Sequence, residues 1–327
     1  MLGTTQSRNS LLFPAFDPEM GQIVLEPEAP GKGYWVGCPS VFYDAERESY
    51  LLTYRRRRPR GLGEERGYAC FVAESKDGLA FKDIWSIKKA ELNSSSMERF
   101  CVQKSPTGTY LLYISYVDAA DNRWRIDVIE ADKPENFDPK TRREIFTAAS
   151  TNSEAVKDPF VFKIGPIYYM LISYAKNLDL NENQYEQAHS TADIYATGLT
   201  QAPTALAHSL DGINFKWLGE ILPVGEGWDR YQSRLNSVVK LDDIFLGFYD
   251  GSASEQENYE ERTGLAVSFD LKNWDKLTPD QPWVVSPYAS GSLRYVQALK
   301  VGQELWLYYE YTRSDAAHEL RLIKLPL

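Results

Sequence analysis

The sequence predicts an all-β protein, organised as a single five-bladed β-propeller that spans residues 1–327. Three observations support this prediction: a β-hairpin pattern occurs five times, its copies recur at a regular step, and further strand patterns follow each copy. Four antiparallel strands per unit, repeated at a fixed period, are typical of a propeller, which protects its sheet edges by closing on itself.

The clearest copy of the hairpin lies at residues 154–174, EAVKDPFVFKIGPIYYMLISY. Val, Ile, Phe and Tyr dominate two runs that Gly165-Pro166 separates, which predicts two strands joined by a tight turn. Each copy begins with a polar or unusual residue, which we call its opening residue, and each ends in a tyrosine. The opening residues are at positions 38, 98, 158, 234 and 294, in steps of 60, 60, 76 and 60 residues. They are Cys38, Glu98, Asp158, Arg234 and Arg294.

Two more strands are expected after each hairpin. Third strands are predicted at residues 68–75, 124–131, 204–209, 264–269 and 319–325. Short fourth strands are predicted around Trp85, Ile145, Trp217 and Trp283. The last unit has no fourth strand of its own, so we expect a strand from within residues 11–25 to pair with residues 319–325 and close the ring.

Composition narrows the classes of function. The net charge of −10 argues against a nucleic-acid surface. Three cysteines make no disulfide framework, and Cys70 and Cys101 lie within predicted strands as core thiols. The N-terminus has no signal-peptide pattern and no apolar run approaches the ~20 residues of a membrane span, so we expect a cytoplasmic protein without a membrane partner. No residues have metal-ligand spacing, and neither a metal nor another cofactor is predicted.

A site is expected where the opening residues meet. The first strand of each blade lines the central channel of a propeller, and long loops at residues 55–66, 175–203 and 250–262 fall on the same face. Asp158 and Glu98 are the candidate catalytic carboxylates, although Glu98 has a plain salt bridge as its alternative. The candidate substrate-binding residues are Cys38, Arg55, Arg234, Arg294, Trp35, Trp228, Tyr231 and His189. Aromatic rings beside charged groups suit a carbohydrate, but Trp35 and Trp228 are equally consistent with packing between blades.

The chain resembles the five-bladed furanosidase-type glycosidases, glycoside hydrolase families 43, 32, 62 and 68, with the mannoside phosphorylases of family 130 as relatives. The resemblance rests on the five units, on Asp158-Pro159 opening a first strand, and on two S-x-D-G-x-x-F turns at residues 75–81 and 209–215. It implies an enzyme that acts on a glycoside. Family 43 presents Asp, Asp and Glu on its first three blades, whereas this chain presents Cys38, Glu98 and Asp158, so the first-blade base is missing.

Three functions therefore remain open at the level of the sequence. A hydrolase would use Asp158 or Glu98 as general acid, and mutual repulsion should raise one carboxyl pKa while arginines keep the other group ionised. A family 130-like phosphorylase would instead hold phosphate with Arg234, Arg294 and the arginines after Tyr54. A propeller that binds carbohydrate, or another protein, without catalysis is the third alternative.

Overall fold

The computed structural model describes residues 13, 15–62 and 64–327, and it shows an all-β protein. Two short α-helices occur in the described residues, α1 (Ala148–Thr151) and α2 (Glu182–His189), besides five 3-10 turns at Pro18–Met20, Lys89–Leu92, Pro139–Thr141, Ile194–Ala196 and Glu255–Glu257. The strands in the first half of the chain are β1 (Gln22–Leu25), β2 (Trp35–Asp44), β3 (Ser49–Arg58), β4 (Arg66–Ser75), β5 (Lys82–Lys88), β6 (Cys101–Lys104), β7 (Tyr110–Val117), β8 (Trp124–Ala131), β9 (Arg143–Phe146) and β10 (Ser153–Ile164). Those in the second half are β11 (Ile167–Lys176), β12 (Thr204–Ser209), β13 (Lys216–Leu222), β14 (Gln232–Leu241), β15 (Ile244–Ser252), β16 (Arg262–Ser268), β17 (Trp274–Lys276), β18 (Leu293–Val301), β19 (Glu304–Thr312) and β20 (His318–Pro326).

The strands pair mainly with their neighbours in sequence, and all of these ladders are antiparallel. β6 to β9 form one four-stranded sheet and β10 to β13 form another. The other strands belong to a 12-stranded sheet, in which two parallel contacts of one residue pair each, Arg262 with Leu293 and Trp35 with His318, join successive groups of antiparallel strands. Antiparallel neighbours need only short turns, which agrees with the tight turns between the hairpin strands.

The N-terminal strand pairs with the last strand of the chain. β1 lies antiparallel to β20, with Gln22 opposite Leu322 and Leu25 opposite Leu320. Val24 and Leu25 pack against a core cluster that also contains residues of β2, β3 and β20. The part of the expected closing segment at residues 11, 12 and 14 lies outside the described residues.

The predicted fourth strand around Trp283 is confirmed only as a single antiparallel bridge, between Val284 and Thr263 of β16, and the strand itself is β17 at Trp274–Lys276. The displacement follows from a turn that the sequence motif did not include. Asp270 accepts hydrogen bonds from the backbone N–H groups of Lys272 and Asn273, both at 2.8 Å, and Leu271 adopts a left-handed φ of 66° where the two recognised turns have glycine. This turn starts the fourth strand directly after β16.

The core is divided into clusters that join neighbouring groups of strands. Trp85, Trp217, Trp274 and Trp283 each pack against one of these clusters, as the sequence predicted for core tryptophans. Cys70 and Cys101 are free and buried. In the part of the chain that the structure describes, no helix has the length and apolar character to cross a membrane, and no group of three His, Cys, Asp or Glu side chains is arranged to hold a metal ion.

Candidate functional site

The five opening residues lie together, and all of them are buried. Cys38, Glu98, Asp158, Arg234 and Arg294 expose at most 3 % of their surface. Direct contacts connect them in part: Arg234 donates a hydrogen bond to the Asp158 carboxylate at 2.9 Å, and the Cys38 thiol lies 4.0 Å from the Glu98 carboxylate. Charged side chains are almost never fully buried unless they have partners, so this cluster is a built polar centre.

Irregular backbone at the start of the first strands places these side chains. The ladders of β2 and β10 shift register at Cys38 and Asp158, whereas those of β14 and β18 shift shortly after Arg234 and Arg294. Cys38, Asp158 and Tyr295 adopt left-handed φ values of 54°, 59° and 52°. Such values cost roughly 1–3 kcal/mol for a residue other than glycine and persist only where surrounding contacts enforce them, often at functional sites. A bulge of this kind redirects a side chain out of the normal alternation of the strand.

Acidic and basic side chains alternate through the centre in a continuous series, which we call the charge network. Its members, in order of contact, are Glu98, Arg55, Glu310, Arg294, Glu261, Arg234, Asp158 and Lys157. The successive nitrogen–oxygen distances are 3.1, 3.3, 2.7, 2.6, 3.8, 2.9 and 3.8 Å. Five strands, β3, β10, β14, β18 and β19, contribute members to this network, and Glu98 and Glu261 lie just before β6 and β16. The network therefore exists only after distant parts of the chain have folded together.

Asp158 is held in its ionised form. Its carboxylate accepts hydrogen bonds from the Arg99 backbone N–H at 3.3 Å, from Arg234 at 2.9 Å and from the Tyr295 hydroxyl at 3.3 Å. Burial alone would raise the pKa of Asp158, but the positive charges of Lys157 and Arg234 outweigh it and hold the pKa below its usual value. These contacts therefore favour the ionised form of Asp158 over the protonated form.

The other acids that contact these arginines differ in pKa. Burial opposes ionisation of Glu261, but Arg294 and Arg234 bring its pKa down to about 2. Asp250, which accepts a hydrogen bond from Arg234 at 2.6 Å, has a raised pKa because burial outweighs that contact. Asp250, which the sequence analysis did not name, is thus the carboxyl group of this cluster with a raised pKa, and the separation predicted between Asp158 and Glu98 stays a prediction.

Glu98 has one carboxylate oxygen without a hydrogen-bond partner in the described residues. Its Oε2 lies 3.1 Å from the Arg55 guanidinium, and its Oε1 lies 3.8 Å from that of Arg57. Oε1 is buried and accepts no hydrogen bond, which distinguishes Glu98 from the other carboxylates of the charge network in the described residues. Buried polar atoms without a partner are rare in proteins, so this oxygen marks a place where a polar ligand atom would be accommodated.

Cys38 occupies the position of the missing base but cannot replace it. Burial raises the pKa of its thiol to about 12, and the neighbouring Arg55 guanidinium, whose Nε donates to the sulfur at 3.1 Å, offsets this only in part. A thiol with such a pKa is neither a base nor a nucleophile near neutral pH. The expectation of a small residue lining the centre is consistent with this environment.

Aromatic rings surround the two cations that extend the network. The Arg57 guanidinium lies 4.8 Å from the ring centroid of Trp35 and 4.4 Å from that of Tyr259. The Lys157 ammonium lies 4.3 Å from the ring centroid of Tyr195 and 5.5 Å from that of Tyr259. Lys157 is completely buried and its ammonium makes no hydrogen bond. The cations are thus held mainly by aromatic faces rather than by carboxylates.

Asp193 connects three loops beside these rings. Its carboxylate accepts a short hydrogen bond from the Tyr259 hydroxyl and a bond of 2.7 Å from Arg60, and it lies 3.7 Å from Arg66. Arg66 also donates to the Ala192 backbone oxygen at 3.1 Å. We call these four side chains the Asp193 clasp. It joins the long loops at residues 55–66, 175–203 and 250–262 that were expected on one face.

Seven of the ten predicted site residues belong to the cluster or contact it. They are Cys38, Glu98, Asp158, Arg55, Arg234, Arg294 and Trp35. Trp35 is stacked on His318 with the ring centroids 4.3 Å apart, and His318 in turn contacts the Glu310 carboxylate at 2.7 Å. Tyr231 is separate, and its hydroxyl donates to the backbone oxygen of Tyr195 at 2.8 Å, where it supports the loop that carries Asp193.

Trp228 and His189 lie in other surroundings. Trp228 stacks on Tyr249 at 5.5 Å between centroids and donates from its indole nitrogen to the Thr278 backbone oxygen at 3.0 Å, so its contacts are those of a core residue. His189 is buried at the end of α2, and its Nε2 lies 2.9 Å from the Glu154 carboxylate. Neither residue has a contact with the charge network in the described chain.

Sequence reasoning missed several members of the cluster. Asp250 and Glu310 come from second strands, where they lie opposite Arg234 and Arg294. A signal was present, because Asp250 and Glu310 each directly follow a tyrosine near the end of the second strand, as Arg55 does. Lys157 directly precedes Asp158, and Glu261 lies in the loop at residues 250–262. The sequence does not show which way either side chain would point, because a shift of one residue moves a strand side chain to the opposite face.

Solved structures of several glycoside-processing enzymes share the fold of this chain. The family 43 enzyme from Xanthomonas citri, solved with xylotriose, is 13% identical, with a TM-score of 0.60 over 92% of this chain and 89% of that one. A β-1,2-mannobiose phosphorylase from Listeria innocua is 16% identical, with a TM-score of 0.62 over 95% and 96% of the two chains. A glycosyl hydrolase from Bacteroides ovatus is 12% identical, with a TM-score of 0.61 over 94% and 92%.

These similarities confirm the resemblance to the glycosidase superfamily in its fold. No protein-family model matches the chain, and no curated protein matches it by sequence. At 12–16% identity the neighbours share an all-β architecture with this chain, and the chemistry must be argued from its own residues.

Proposed function

We propose that the chain is a five-bladed propeller, closed by β1, whose central charge network cleaves or transfers a glycosyl group. The recurrence of five opening residues along the sequence supports the blade count, and the pairing of β1 with β20 supports the closure. The structural neighbours support carbohydrate chemistry. The observation that carries the catalytic proposal is the unpartnered, buried Oε1 of Glu98 in the same buried cluster as the ionised Asp158.

Glu98 is the proposed general acid. Glycoside cleavage requires a carboxylic acid that protonates the departing glycosidic oxygen, and a second group opposite it. Glu98 offers an oxygen that no protein group occupies, whereas the Asp158 carboxylate is engaged by three donors. The proton of Glu98 passes to the leaving oxygen as the bond from that oxygen to the anomeric carbon breaks.

Asp158 is the proposed partner carboxylate. The fixed positive charges around it keep it ionised, so it stabilises the positive charge that develops on the sugar ring. It also accepts the proton of an attacking water, which completes hydrolysis without a first-blade base. Arg234 and Tyr295 hold the carboxylate in place through their hydrogen bonds.

Phosphorolysis is the second candidate, and one observation favours it. Cys38 cannot act as a base, and a phosphate nucleophile needs none. Arg234 and Arg294, first considered as phosphate ligands, are occupied by carboxylates, at 2.6–2.9 Å for Arg234 and at 2.6–2.7 Å for Arg294. The groups left for phosphate are Lys157, Arg57 and one nitrogen of Arg55.

The test is a panel of aryl furanosides and pyranosides, assayed with and without inorganic phosphate for the wild type and Glu98→Gln. A positioned acid contributes about 10²–10⁴ in rate, so Glu98→Gln should lose that factor with substrates that have poor leaving groups. Glu130→Gln, which removes a partly exposed carboxylate paired with Arg143, is the matched control and should retain full activity. A product that appears only with phosphate identifies phosphorolysis.

Two outcomes would contradict the catalytic proposal. If Glu98→Gln turned over every substrate at the wild-type rate, Glu98 would not be the acid. If sugars bound but no member of the panel was cleaved or transferred, the carbohydrate-binding alternative would replace the enzyme.

A further inference from the structure

The buried charges of the central cluster do not balance. The cluster contains six cationic side chains that are at most 7 % exposed, namely Arg55, Arg57, Arg99, Lys157, Arg234 and Arg294. It contains five carboxylates with equal or lower exposure, namely Glu98, Asp158, Asp250, Glu261 and Glu310. Next to them, Asp193 is paired with Arg66 and Glu260 with His318. Within the central cluster itself the cations therefore outnumber the carboxylates by one, and a buried charge without a counterion is costly.

Three of these cations have no close carboxylate in the described residues, namely Arg99, Lys157 and Arg57. The Arg99 guanidinium donates to the backbone oxygens of Asn236 and Pro39, which leaves Lys157 and Arg57 as the cations with the weakest compensation. The Lys157 ammonium makes no hydrogen bond, and Asp158, at 3.8 Å, already accepts from three other donors. Arg57 reaches only Glu98, also at 3.8 Å. Both cations lie against the ring of Tyr259, so one ligand can reach both. Near them, Arg55 Nη1 and Trp35 Nε1 are buried donors without an acceptor.

From these contacts we infer that the substrate is an anionic sugar, whose carboxylate or phosphate group binds between Lys157 and Arg57. This inference rests on the proposed glycoside-processing function, because the anionic sugar is a substrate only if the protein acts on glycosides. Charge-assisted hydrogen bonds from an ammonium and a guanidinium are strong recognition elements for both kinds of anion. The rings of Trp35, Tyr195 and Tyr259 supply the apolar surface against which a sugar ring packs.

The two cations lie beside the two proposed catalytic carboxylates. Arg57 lies 3.8 Å from the Glu98 oxygen assigned to proton donation. An anion held there is on the side from which the leaving group departs. A nucleophile that inverts the anomeric carbon must approach from the opposite face. Lys157 lies 3.8 Å from Asp158, the proposed base, so an anion that contacts both cations extends from the acid to the base. Binding measurements with acidic sugars and with phosphate therefore distinguish a substituent of the substrate from the attacking group.

Isothermal titration calorimetry with matched sugars tests this inference. The probes are galacturonic and glucuronic acid, their neutral counterparts galactose and glucose, the corresponding 6-phosphates, and inorganic phosphate. The wild type should bind at least one acidic sugar ten-fold or more tightly than its neutral counterpart. A preference for the uronic acids or for the sugar phosphates identifies the source of the anion.

Lys157→Met and Arg57→Met locate the site. Each should weaken binding of the acidic sugar by about 30-fold or more, since truncating one partner of a buried charge pair has effects of that size. Neutral sugars should bind the variants as they bind the wild type. Lys163→Met, which changes an exposed lysine on the same strand, is the control and should behave as wild type. The wild-type comparison of acidic and neutral sugars remains decisive if a variant does not fold.

The outcomes separate this inference from the proposed function. If acidic and neutral sugars bind the wild type equally, the inference is wrong, even where neutral glycosides are cleaved. If inorganic phosphate alone binds in a manner that depends on Lys157, and acidic sugars show no preference, the cations serve the nucleophile and the inference is also wrong. Preferential binding of acidic sugars without any turnover would support the inference and contradict the catalytic proposal.

Discussion

Removing Arg234 should be one of the most destabilising single changes in this protein. Its guanidinium contacts the carboxylates of Asp158 at 2.9 Å and Asp250 at 2.6 Å, and it lies 3.8 Å from Glu261. Arg234→Met keeps much of the side-chain volume but removes the charge. Three buried carboxylates then lose a cation at once, which leaves negative charge uncompensated in the interior.

The size of the effect follows from the cost of breaking a buried ion pair. Removing one partner typically costs about 3–5 kcal/mol, because the other charge stays buried. A domain has only about 5–15 kcal/mol of stability in total. For a chain of this length we expect the melting temperature to fall by roughly 5–10 °C, or the variant to be insoluble.

Thermal and urea unfolding at pH 7 provide the measurement, with Arg47→Met as control. Arg47 pairs with Glu74 at 3.0 Å, but about a quarter of each side chain is exposed, so its loss should cost no more than about 1 kcal/mol. Adding Asp250→Asn to Arg234→Met should recover part of the stability, because Asp250 loses its cation in Arg234→Met, whereas Asp158 keeps Lys157 at 3.8 Å and Glu261 keeps Arg294 at 2.6 Å. The reasoning is refuted if Arg234→Met melts at the temperature of the Arg47 control, or if the second substitution makes the protein less stable still.

The pH dependence of the free energy of unfolding should differ between the wild type and Arg234→Met, in a direction that follows from the wild-type pKa shifts. In the wild type, the pKa values of Asp158 and Glu261 are depressed, so their contribution to stability is present above the unfolded carboxyl pKa, about 4, and is lost as pH falls through the folded values. In Arg234→Met these pKa values rise, and acidification relieves repulsion. The difference in stability between wild type and variant should therefore shrink between pH 7 and pH 4.

Three further predictions address other parts of the molecule. Deleting residues 1–25 should lower the melting temperature sharply, because β20 would lose its partner strand β1; equal melting of the two proteins would contradict the proposed closure. Asp193→Ala should open the Asp193 clasp and speed limited proteolysis or hydrogen exchange within residues 177–203, whereas Asp179→Ala, in the same loop but outside the clasp, should not. Cys38, Cys70 and Cys101 should resist iodoacetamide at pH 8 in the native protein and react after unfolding, because burial raises the pKa of all three thiols; fast labelling of native Cys38 would contradict the inert role assigned to it.

The repeat pattern alone was sufficient for the local architecture and for five of the central residues. Alternating Val, Ile, Phe and Tyr runs with Gly, Pro and Asp turns specify hairpins through contacts between neighbouring residues, which a linear sequence displays directly. The regular step of the opening residues then predicts that they occupy equivalent places. This is why Cys38, Glu98, Asp158, Arg234 and Arg294 could be selected together.

The partners of those residues were decided only by tertiary structure. Arg294 contacts Glu261, 33 residues earlier in the chain, and Arg55 contacts Glu310, 255 residues later. Contacts of this kind depend on how separate groups of strands pack, and the bulges that redirect Cys38 and Asp158 break the two-residue alternation that sequence patterns rely on. For the same reason His189 has a polar character in sequence that suits a site, yet the Nε2 of its imidazole contacts Glu154, away from the charge network. Spacing identifies which residues are equivalent, and only the packed structure decides which charges they meet.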